Sequence, residues 1–556
     1  MPHTGDLTKL PDLTHGRPMA PGRARTPHYV DLLPPCNAAC PAGENIQAWL
    51  ALAQAGRYEE AFQELIRDNP MPAVHGRVCY HPCESACNRG ELDAAVRVHA
   101  VERFLGDRAI AEGWTVPKSA LALSTGKRVL IVGAGPSGLA AAYHLRRLGH
   151  DVEIRDAGPI AGGMMIFGIP AYRLPRAILA AEIARIEAMG VRIVLNHKVD
   201  DVLAARRAGA FDAVFLAIGA HIGKKTSIPS RDAGKMLDAI SLLESVAKGE
   251  PPKLGRRVAV YGGGNTAMDA ARVVKRLGYE PMIIYRRDRA HMPAHSFEAD
   301  EAIEEGVKVH WLRSIKAIEG TSMIVEEMEL DEHGKARPTG RTETLEADAL
   351  VLALGQDVDT SFLARVPGVE IGGDGVVKVG PDLMTGHPGI FVGGDMVPSE
   401  RTVTVAVGHG KKAARAIDRF LRGPVDDAGR APKHAGVSLA DLKIWYGTDA
   451  APREQAQLAE SRRAESFDEV VSGLSEQDAT YEAKRCLSCG NCYECDGCLG
   501  ACPSGAVIKL GKGKRYRFDY DRCTGCAVCA EQCPVHAIEM RAGAAVALAH
   551  GAEVQR

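Results

Sequence analysis

"KRVLIVGAGPSGLAAAYHLRRLGHDVEIRDA", residues 127–157, decides the fold of this chain. An apolar strand runs into a glycine turn, an alanine-rich helical stretch follows, and a second strand closes on Asp156. Gly133 permits the tight turn, Gly135 lets the backbone approach a pyrophosphate, and Gly138 lets the helix sit close to the sheet. Asp156 falls 23 positions after Gly133, where a carboxylate accepts from ribose hydroxyls. A lone G-x-G-x-x-G says little. Flanked by this strand, helix and acid, it reads as the opening of a dinucleotide-binding βαβ unit rather than an ordinary glycine turn.

A second such unit begins at residues 256–290, "RRVAVYGGGNTAMDAARVVKRLGYEPMIIYRRDRA". Gly262, Gly264 and Ala267 take the three close-approach positions, with Gly263 between them. Asn265 and Thr266 open the helix whose N-terminus holds the phosphates. Where an NAD site places an acid, this chain has Tyr285, Arg286 and Arg287. Two guanidinium groups suit a 2′-phosphate, which favours NADP(H) over NAD(H). The alternative is that they only solvate a strand end.

Two short apolar segments, "FDAVFLAIGA" (211–220) and "ADALVLALGQ" (347–356), lie before and after this second unit and end in Gly219 and Gly355. Residues 389–421, "GIFVGGDMVPSERTVTVAVGHGKKAARAIDRFL", add a strand, a Gly-Gly-Asp turn and a closing helix. Asp395 in that turn suits a ribityl chain, and the helix from Val403 onward aims its amides at a flavin ring. The second unit is thus inserted into the first, which is read as the FAD unit.

At 556 residues the chain is long enough for several domains, and 46% hydrophobic content makes it globular. A net charge of −2 supplies no cationic field, which argues against nucleic acid or an anionic membrane as the main partner. No apolar run reaches the length of about 18 residues that reads as a membrane span. The first 35 residues carry Pro, Gly and Arg without a hydrophobic segment, so an extended arm is expected there rather than a signal peptide, and a cytoplasmic location for the protein.

The fifteen cysteines fall at the two ends of the chain, five between Cys36 and Cys87 and ten between Cys486 and Cys533. Their spacing is that of metal ligands, not of a disulfide framework. Cys492, Cys495, Cys498 and Cys502-Pro503 form one C-x2-C-x2-C-x3-C-P run, and Cys523, Cys526, Cys529 and Cys533-Pro534 form another. In two-cluster ferredoxins the fourth cysteine of each run ligates the other cluster. Cys492, Cys495, Cys498 and Cys533 are therefore assigned to one [4Fe-4S] cluster, and Cys502, Cys523, Cys526 and Cys529 to its neighbour. Zinc would want four-cysteine sets at looser spacing. The basic stretch between the runs, "KLGKGKRYRFDYDR", is expected to be a hairpin joining them.

"GAGPSGLAAA", "GGMMIFGIPAYRLP", "GGGNTAMDAARVVKRLG", "YRRDRAHMPA" and "FVGGDMV" together resemble the small-subunit family of glutamate synthase, over about residues 35 to 425. The resemblance implies FAD at Gly133, Gly135, Gly138, Asp156, Gly163 and Asp395, and NADPH at Gly264, Asn265, Thr266, Arg286 and Arg287. Ala134, Pro136, Ser137, Arg173, Val199, Gly219, Gly263, Ala267, Gly355, Gly394 and Thr404 complete the expected cofactor-binding set. "IPSRDAGKM" departs from the family's Ile-Pro-Gly-Glu-like segment at Ser230 and Arg231, which puts that interdomain loop in question.

"CNAACPAGENI" and "GRVCYHPCESACNRG" resemble the family's helical two-cluster domain, which has a further Cys-x-x-Cys just ahead of them. Nothing upstream of Cys36 supplies it. A segment of the matching form stands at the other end of the chain, "FDEVVSGLSEQDATYEAKRCLSCG", residues 467–490. Cys486 and Cys489 are accordingly expected to fold back and close a cluster with Cys36 and Cys87; the alternative is that they stay unliganded or exchange within the ferredoxin unit. The second N-terminal cluster then has Cys40, Cys79 and Cys83, and needs a fourth ligand that is not cysteine. By resemblance Glu102 is the candidate, with His99 behind it.

The expected architecture is α/β, with two Rossmann-like dinucleotide-binding domains, a helical iron–sulfur domain and a C-terminal α+β bacterial ferredoxin-like domain. Its expected divisions are an arm (1–35), the helical iron–sulfur domain (36–125), the FAD domain in two parts (126–255 and 346–425), the NADP(H) domain (256–345), a docking linker (426–485) and the ferredoxin-like domain (486–545).

NADP(H), FAD and four [4Fe-4S] clusters in one chain make a converter between two-electron and one-electron carriers. No Ser/His/Asp set or paired acids stand out as catalytic side chains. Three functions compete: the NAD(P)H module of a thiamine-dependent 2-oxoacid:ferredoxin-type oxidoreductase, with ferredoxin a further partner; a glutamate synthase small subunit feeding its glutamine-dependent large subunit; or a scaffold with vestigial nucleotide sites. Because hydride transfer uses the two nucleotide units, reduction by NADPH is expected to survive truncation after Val425.

Overall fold

The computed structural model describes residues 25–542 except 225, 227, 232–234, 424–435 and 512. Most of the expected arm (1–24), residues 426–435 of the expected linker, Val425, and residues 543–545 lie outside the described residues.

Arg128–Val132 lies at the centre of a five-stranded parallel sheet ordered Ile390–Val392, Ala213–Leu216, Arg128–Val132, Asp151–Arg155, Arg192–Val194. Val129 to Val132 are all buried, as strands covered on both faces must be. Pro136, with its fixed φ, begins the helix Pro136–Arg147 directly after the glycine turn. That helix packs against Val403–Arg422. The approach is close enough that a Cβ at Gly410 would stand 2.3 Å from the Ser137 carbonyl oxygen.

Between Ala213–Leu216 and Ile390–Val392 the chain leaves this sheet and builds a second. Its order is Lys308–Trp311, Glu280–Tyr285, Arg257–Tyr261, Ala349–Leu352, Lys235–Asp238, again all parallel. The insertion is as expected, but its edges are not. Lys235–Asp238 and Ala349–Leu352 pair into the second sheet, outside the expected limits of 256 and 345. For Ala349–Leu352 the physical reason is that a four-residue strand buried at every position reads identically in either sheet, and only its partners distinguish them; Lys235–Asp238 is a short edge strand, exposed or half-buried throughout, with no alternation to mark it. Arg313–Glu319, Ser322–Leu330 and Ala336–Glu346 add an antiparallel meander, against which Ser230–Arg231 lies parallel.

Before the first sheet comes a helical layer. Pro72–Val78 crosses Val98–Glu112 at two glycines: a Cβ at Gly76 would lie 2.5 Å from the Arg103 backbone nitrogen, and one at Gly106 2.3 Å from that of Ala73. At the far end Val507–Lys509 and Tyr516–Phe518 form the expected antiparallel hairpin. The last strand, Ile538–Ala542, pairs antiparallel with Arg25–Tyr29. The described end of the arm is therefore a strand of the C-terminal unit, where it satisfies an edge whose backbone groups need partners.

Described residues from 436 onward return the chain to the helical layer. Glu476–Lys484 packs against Ile46–Gln54 and Val98–Glu112. Tyr58 and Thr480 share a hydroxyl hydrogen bond of 2.6 Å, and Arg89 donates to the Arg485 carbonyl at 2.6 Å. Buried Arg485 pairs with Glu482 at 3.0 Å and with Asp93 at 3.2 Å. The same segment also touches the second nucleotide unit, which the sequence reading did not anticipate: Arg276 donates to the Ser466 carbonyl at 3.0 Å, and Arg463 pairs with Glu304 at 3.3 Å. Among the described residues no helix is long and apolar enough to cross a membrane.

Candidate cofactor and iron–sulfur sites

The two glycine turns face one cleft of about 380 Å³. Gly133, Gly135, Pro136, Ser137, Asp156, Gly163, Gly219, Gly394 and Asp395 line it from the first unit; Asn265, Thr266, Asp269 and Gly355 line it from the second. Gly133 sits at φ +108°, and a Cβ there would come within 2.3 Å of the Ala217 carbonyl oxygen. Gly138 lies so close to the turn that its Cβ would meet the Gly133 carbonyl oxygen at 2.0 Å. Gly135 and Gly264 differ from these. Each is the N-cap of its helix, neither has a side-chain cap, and a Cβ on either would point into space clear of protein for 4 Å. Uncapped first-turn amides beside an open cradle fit the pyrophosphate of a dinucleotide at both turns.

The Asp156 carboxylate accepts from the amides of Ala134 at 2.6 Å and Gly158 at 2.7 Å. It thereby holds the glycine turn while lining the cleft. Burial pushes the Asp395 carboxyl up, with Arg401 acting against it. Arg173 reaches the cleft but is committed to the second unit, pairing with Asp269 at 2.8 Å and Glu298 at 2.6 Å.

Several expected cofactor residues lie away from the cleft. Val199 packs in the core with Leu130, Val132 and Val202. Ala134 and Ala267 are buried, and Gly263 makes room for the Tyr285 ring, which a Cβ would approach to 2.4 Å. Thr404 is buried at the start of its helix, its hydroxyl against the Cys79 thiol. Arg286 is exposed at the end of its strand, while Arg287 donates to the Tyr285 phenol at 2.8 Å.

All fifteen cysteines are free of disulfides. Cys36, Cys87, Cys486 and Cys489 line one small cavity between the helical layer and the returning chain. The Asn88 side chain and the Ser488 amide donate to sulfur there, at 3.3 Å to Cys489 and 3.4 Å to Cys486. In the C-terminal unit Cys502, Cys523, Cys526 and Cys529 line a second cavity. The thiols of Cys492, Cys495, Cys498 and Cys533 lie within electrostatic reach of one another. Ala506 and Ala537 donate their amides to Cys502 and Cys533, each at 3.2 Å. Burial pushes Cys486 up to about 12 and Cys489 and Cys492 to about 11. Such thiols are held as thiolates only by a bound cation, so convergent buried sulfurs that also accept amide hydrogen bonds fit iron–sulfur clusters.

Cys40, Cys79 and Cys83 converge near Glu102. Asn69 donates to Glu102 at 2.7 Å and also to Glu44 at 3.0 Å. Glu44 and His75 complete a buried group that the sequence reading missed. Only the fold brings them together, from a loop and two helices. Burial pushes Glu102 well above the usual carboxylate range. His99 has both ring nitrogens engaged, with Glu84 at 2.7 Å and Gln455 at 2.8 Å, and its ring stacks on His81. Of the two non-cysteine candidates, the structure puts Glu102 beside the thiols.

Comparison with known proteins agrees with this division. Residues 127–410 match the family model described as pyridine nucleotide-disulphide oxidoreductase. Residues 32–114 match dihydropyrimidine dehydrogenase domain II, 4Fe-4S cluster, and residues 516–539 match a 4Fe-4S binding domain. The chain is 38% identical over 500 residues to the NADP(+)-dependent formate dehydrogenase subunit beta of Moorella thermoacetica, an alignment covering 82% of this chain and 70% of that one. It is 34% identical over 511 residues to the NADPH-Fe(3+) oxidoreductase subunit beta of Geobacter sulfurreducens, covering 82% and 75%. The glutamate synthase [NADPH] small chain of Escherichia coli is 34% identical over 420 residues, covering 70% of this chain and 89% of its own. With a nucleotide-binding body and 4Fe-4S-binding segments at both ends, the chain belongs to the pyridine nucleotide-disulphide oxidoreductase family, as an iron–sulfur flavoprotein oxidoreductase related to the glutamate synthase small chain.

Proposed function

We propose that this chain is a cytoplasmic NADP(H)-linked electron-transfer subunit, moving electrons between NADP(H), FAD, four [4Fe-4S] clusters and a partner oxidoreductase. The observation that carries the reading is the pair of uncapped helix N-termini, at Gly135 and Gly264, opening on one cleft that Val78 and Tyr80, the neighbours of Cys79, also line. FAD held in this cleft would supply hydride exchange with NADP(H) and single-electron exchange with clusters, so the three kinds of group would form a chain of carriers. The protein's part is to bind and orient. Gly133, Gly135 and Gly138 shape the seat for FAD, Asp156 and Asp395 take its hydroxyls, and Asn265 and Thr266 with Arg286 and Arg287 hold NADP(H). Cys36, Cys87, Cys486 and Cys489 form one cluster site; Cys40, Cys79, Cys83 and Glu102 form the next; the two ferredoxin-like sets form the remaining two.

The partner is the catalytic subunit of a larger oxidoreductase. A thiamine-dependent 2-oxoacid:ferredoxin-type enzyme is one candidate, and the name of the Moorella relative adds a formate dehydrogenase. A glutamate synthase large subunit is the alternative, and the shorter alignment with that family's small chain, 70% of this chain against 82%, weighs against it. Anaerobic purification from the native host tests the reading. It expects bound FAD, about sixteen irons per chain at four per cubane, NADPH-dependent dye reduction, and a co-purifying oxidoreductase subunit. Flavin-free protein, or a glutaminase-bearing partner, would overturn it in favour of a scaffold or of glutamate synthase respectively.

A further inference from the structure

Two consecutive residues of the helical iron–sulfur layer reach both nucleotide units. The Cys79 thiol lies against Thr404, at the start of the helix Val403–Arg422. Tyr80 points the other way. Its hydroxyl accepts a 2.7 Å hydrogen bond from the Asn265 side-chain amide, at the first turn of the second unit's phosphate-binding helix. Its ring stacks on His295, centroids 3.7 Å apart and planes inclined by 15°. The His295 amide in turn donates to the Asn265 side-chain oxygen at 3.0 Å. Asn265 thus has its amide and its oxygen both engaged, one by Tyr80 and the other by the segment that leads into Ser296–Glu304.

From this juxtaposition we propose that Tyr80 is a positioning residue that couples NADP(H) binding to the iron–sulfur site held by Cys79. The inference deepens the functional reading and rests on it. A phosphate seated on the uncapped first turn meets the Asn265 side chain, and therefore the phenol bonded to it. The Tyr80 hydroxyl has one proton to donate, and a phosphate oxygen competes for it with the Glu298 carboxylate, which lies within reach of the same phenol together with Arg173. Because the peptide carrying that phenol also carries the Cys79 thiol, a change in how Tyr80 is held is delivered to a cluster ligand one residue away. His81, next in the chain, adopts a left-handed conformation at φ 57°, which restricts how that strip relaxes. Coupling of this kind is reciprocal: whatever factor cluster reduction imposes on NADP⁺ affinity, NADP⁺ imposes on the cluster's reduction equilibrium.

The test uses the full chain, anaerobic and fully loaded, with NADP⁺ as the probe because it binds without reducing. Affinity is read from the perturbation of flavin absorbance, and the cluster from a potentiometric titration followed by electron paramagnetic resonance, with and without saturating NADP⁺. For the native protein the expected coupling is roughly three- to tenfold in affinity, the worth of about one hydrogen bond. At 59 mV per tenfold that is a shift of about 28 to 59 mV in one cluster. Tyr80→Phe should bind NADP⁺ roughly three- to tenfold more weakly and lose the shift, with iron content unchanged; His295→Ala, which keeps the hydroxyl and removes the stack, should reduce the shift. A native protein that binds NADP⁺ with no cluster shift, or a Tyr80→Phe variant that keeps the full shift, overturns the coupling alone. A native protein that binds no NADP⁺ overturns the coupling and the functional reading together.

Discussion

The Asn88 side-chain amide donates to the Cys489 thiol at 3.3 Å, joining positions 401 residues apart. The same amide reaches the Val437 carbonyl at 2.9 Å, so Asn88 ties the returning chain to the helical layer at the place where four cysteines converge. The double variant Cys486→Ser/Cys489→Ser should lose about four irons, one cubane, while the ferredoxin-like pair keeps its signals. Iron assay with cluster spectroscopy decides it, and full iron content in the variant would refute a shared site. Asn88→Ala should keep the iron and shift that cluster's potential, since it leaves every cysteine in place and removes the hydrogen bonds to sulfur and to the Val437 carbonyl.

NADPH should be preferred to NADH, and the preference should depend on two unlike residues. Arg286 is exposed and uncommitted to any neighbour described above, whereas Arg287 already donates to the Tyr285 phenol. A charge-assisted contact to a 2′-phosphate is worth about 1.5 to 3 kcal/mol. Arg286→Ala and Arg287→Ala should each lose at least about tenfold in kcat/KM for NADPH with little change for NADH. Dye-reduction assays with both nucleotides test this, and equal efficiency in the native protein would count against it.

These features differ in how far the sequence exposes them. The glycine turns are legible because sterics act locally: no residue with a Cβ fits at Gly133 or Gly138, so the pattern is written where it works. The ferredoxin-like cysteines are legible for the same reason, their spacing being the coordination geometry. Ala349–Leu352 is not, since a buried strand carries no mark of which sheet will pair with it. Nor is Tyr80, whose hydrogen-bond partner lies 185 positions away. Glu44 hides in the same manner, as one more surface-type residue in sequence that folding buries beside Asn69 and Glu102.

A buried ion cluster within the second unit should make the protein's stability sensitive to acid. Glu305 accepts from Arg272 at 2.6 and 2.9 Å and from Arg276 at 2.6 and 2.8 Å, and all three side chains are buried. Burial pushes the Glu305 carboxyl up, but the two guanidinium groups outweigh it and hold it below the usual range. A depressed carboxylate contributes stability that is complete above its unfolded value and lost as pH falls through its folded value. The thermal midpoint should therefore fall as pH drops below the ordinary carboxylate range. Glu305→Gln should remove that part of the pH dependence and cost about 3 to 5 kcal/mol at neutral pH, because it leaves two buried cations short of a partner. A variant with native stability and an unchanged acid profile would show the cluster to be inert.

Truncation after Val425 now carries a different expectation from the one that the two nucleotide units alone would justify. The removed segment holds Cys486 and Cys489, so one N-terminal site loses half its sulfurs. It also holds Ser466, whose carbonyl takes a hydrogen bond from Arg276, and Arg463, which pairs with Glu304. Phe467 and Val470 pack with Tyr172, Leu243 and Val273 where the two units meet. Without these contacts the second unit keeps fewer ties to the first, among them the Arg173 pairs with Asp269 and Glu298 and the packing of Ala239–Ala247 on Met164–Phe167, and its orientation over the cleft should loosen. Hydride transfer depends steeply on how the reacting rings are held. Reduction of flavin by NADPH in the Val425 truncation should accordingly be slower by tenfold or more, not merely cut off from its partner. A truncation after Gly490 keeps all of these contacts and Cys489, so it should reduce flavin at the native rate, retain about eight irons, and fail only in transfer to the partner. Stopped-flow reduction of both truncations under anaerobic conditions separates the cases: native-rate flavin reduction in the Val425 chain would mean that the returning segment serves the clusters alone.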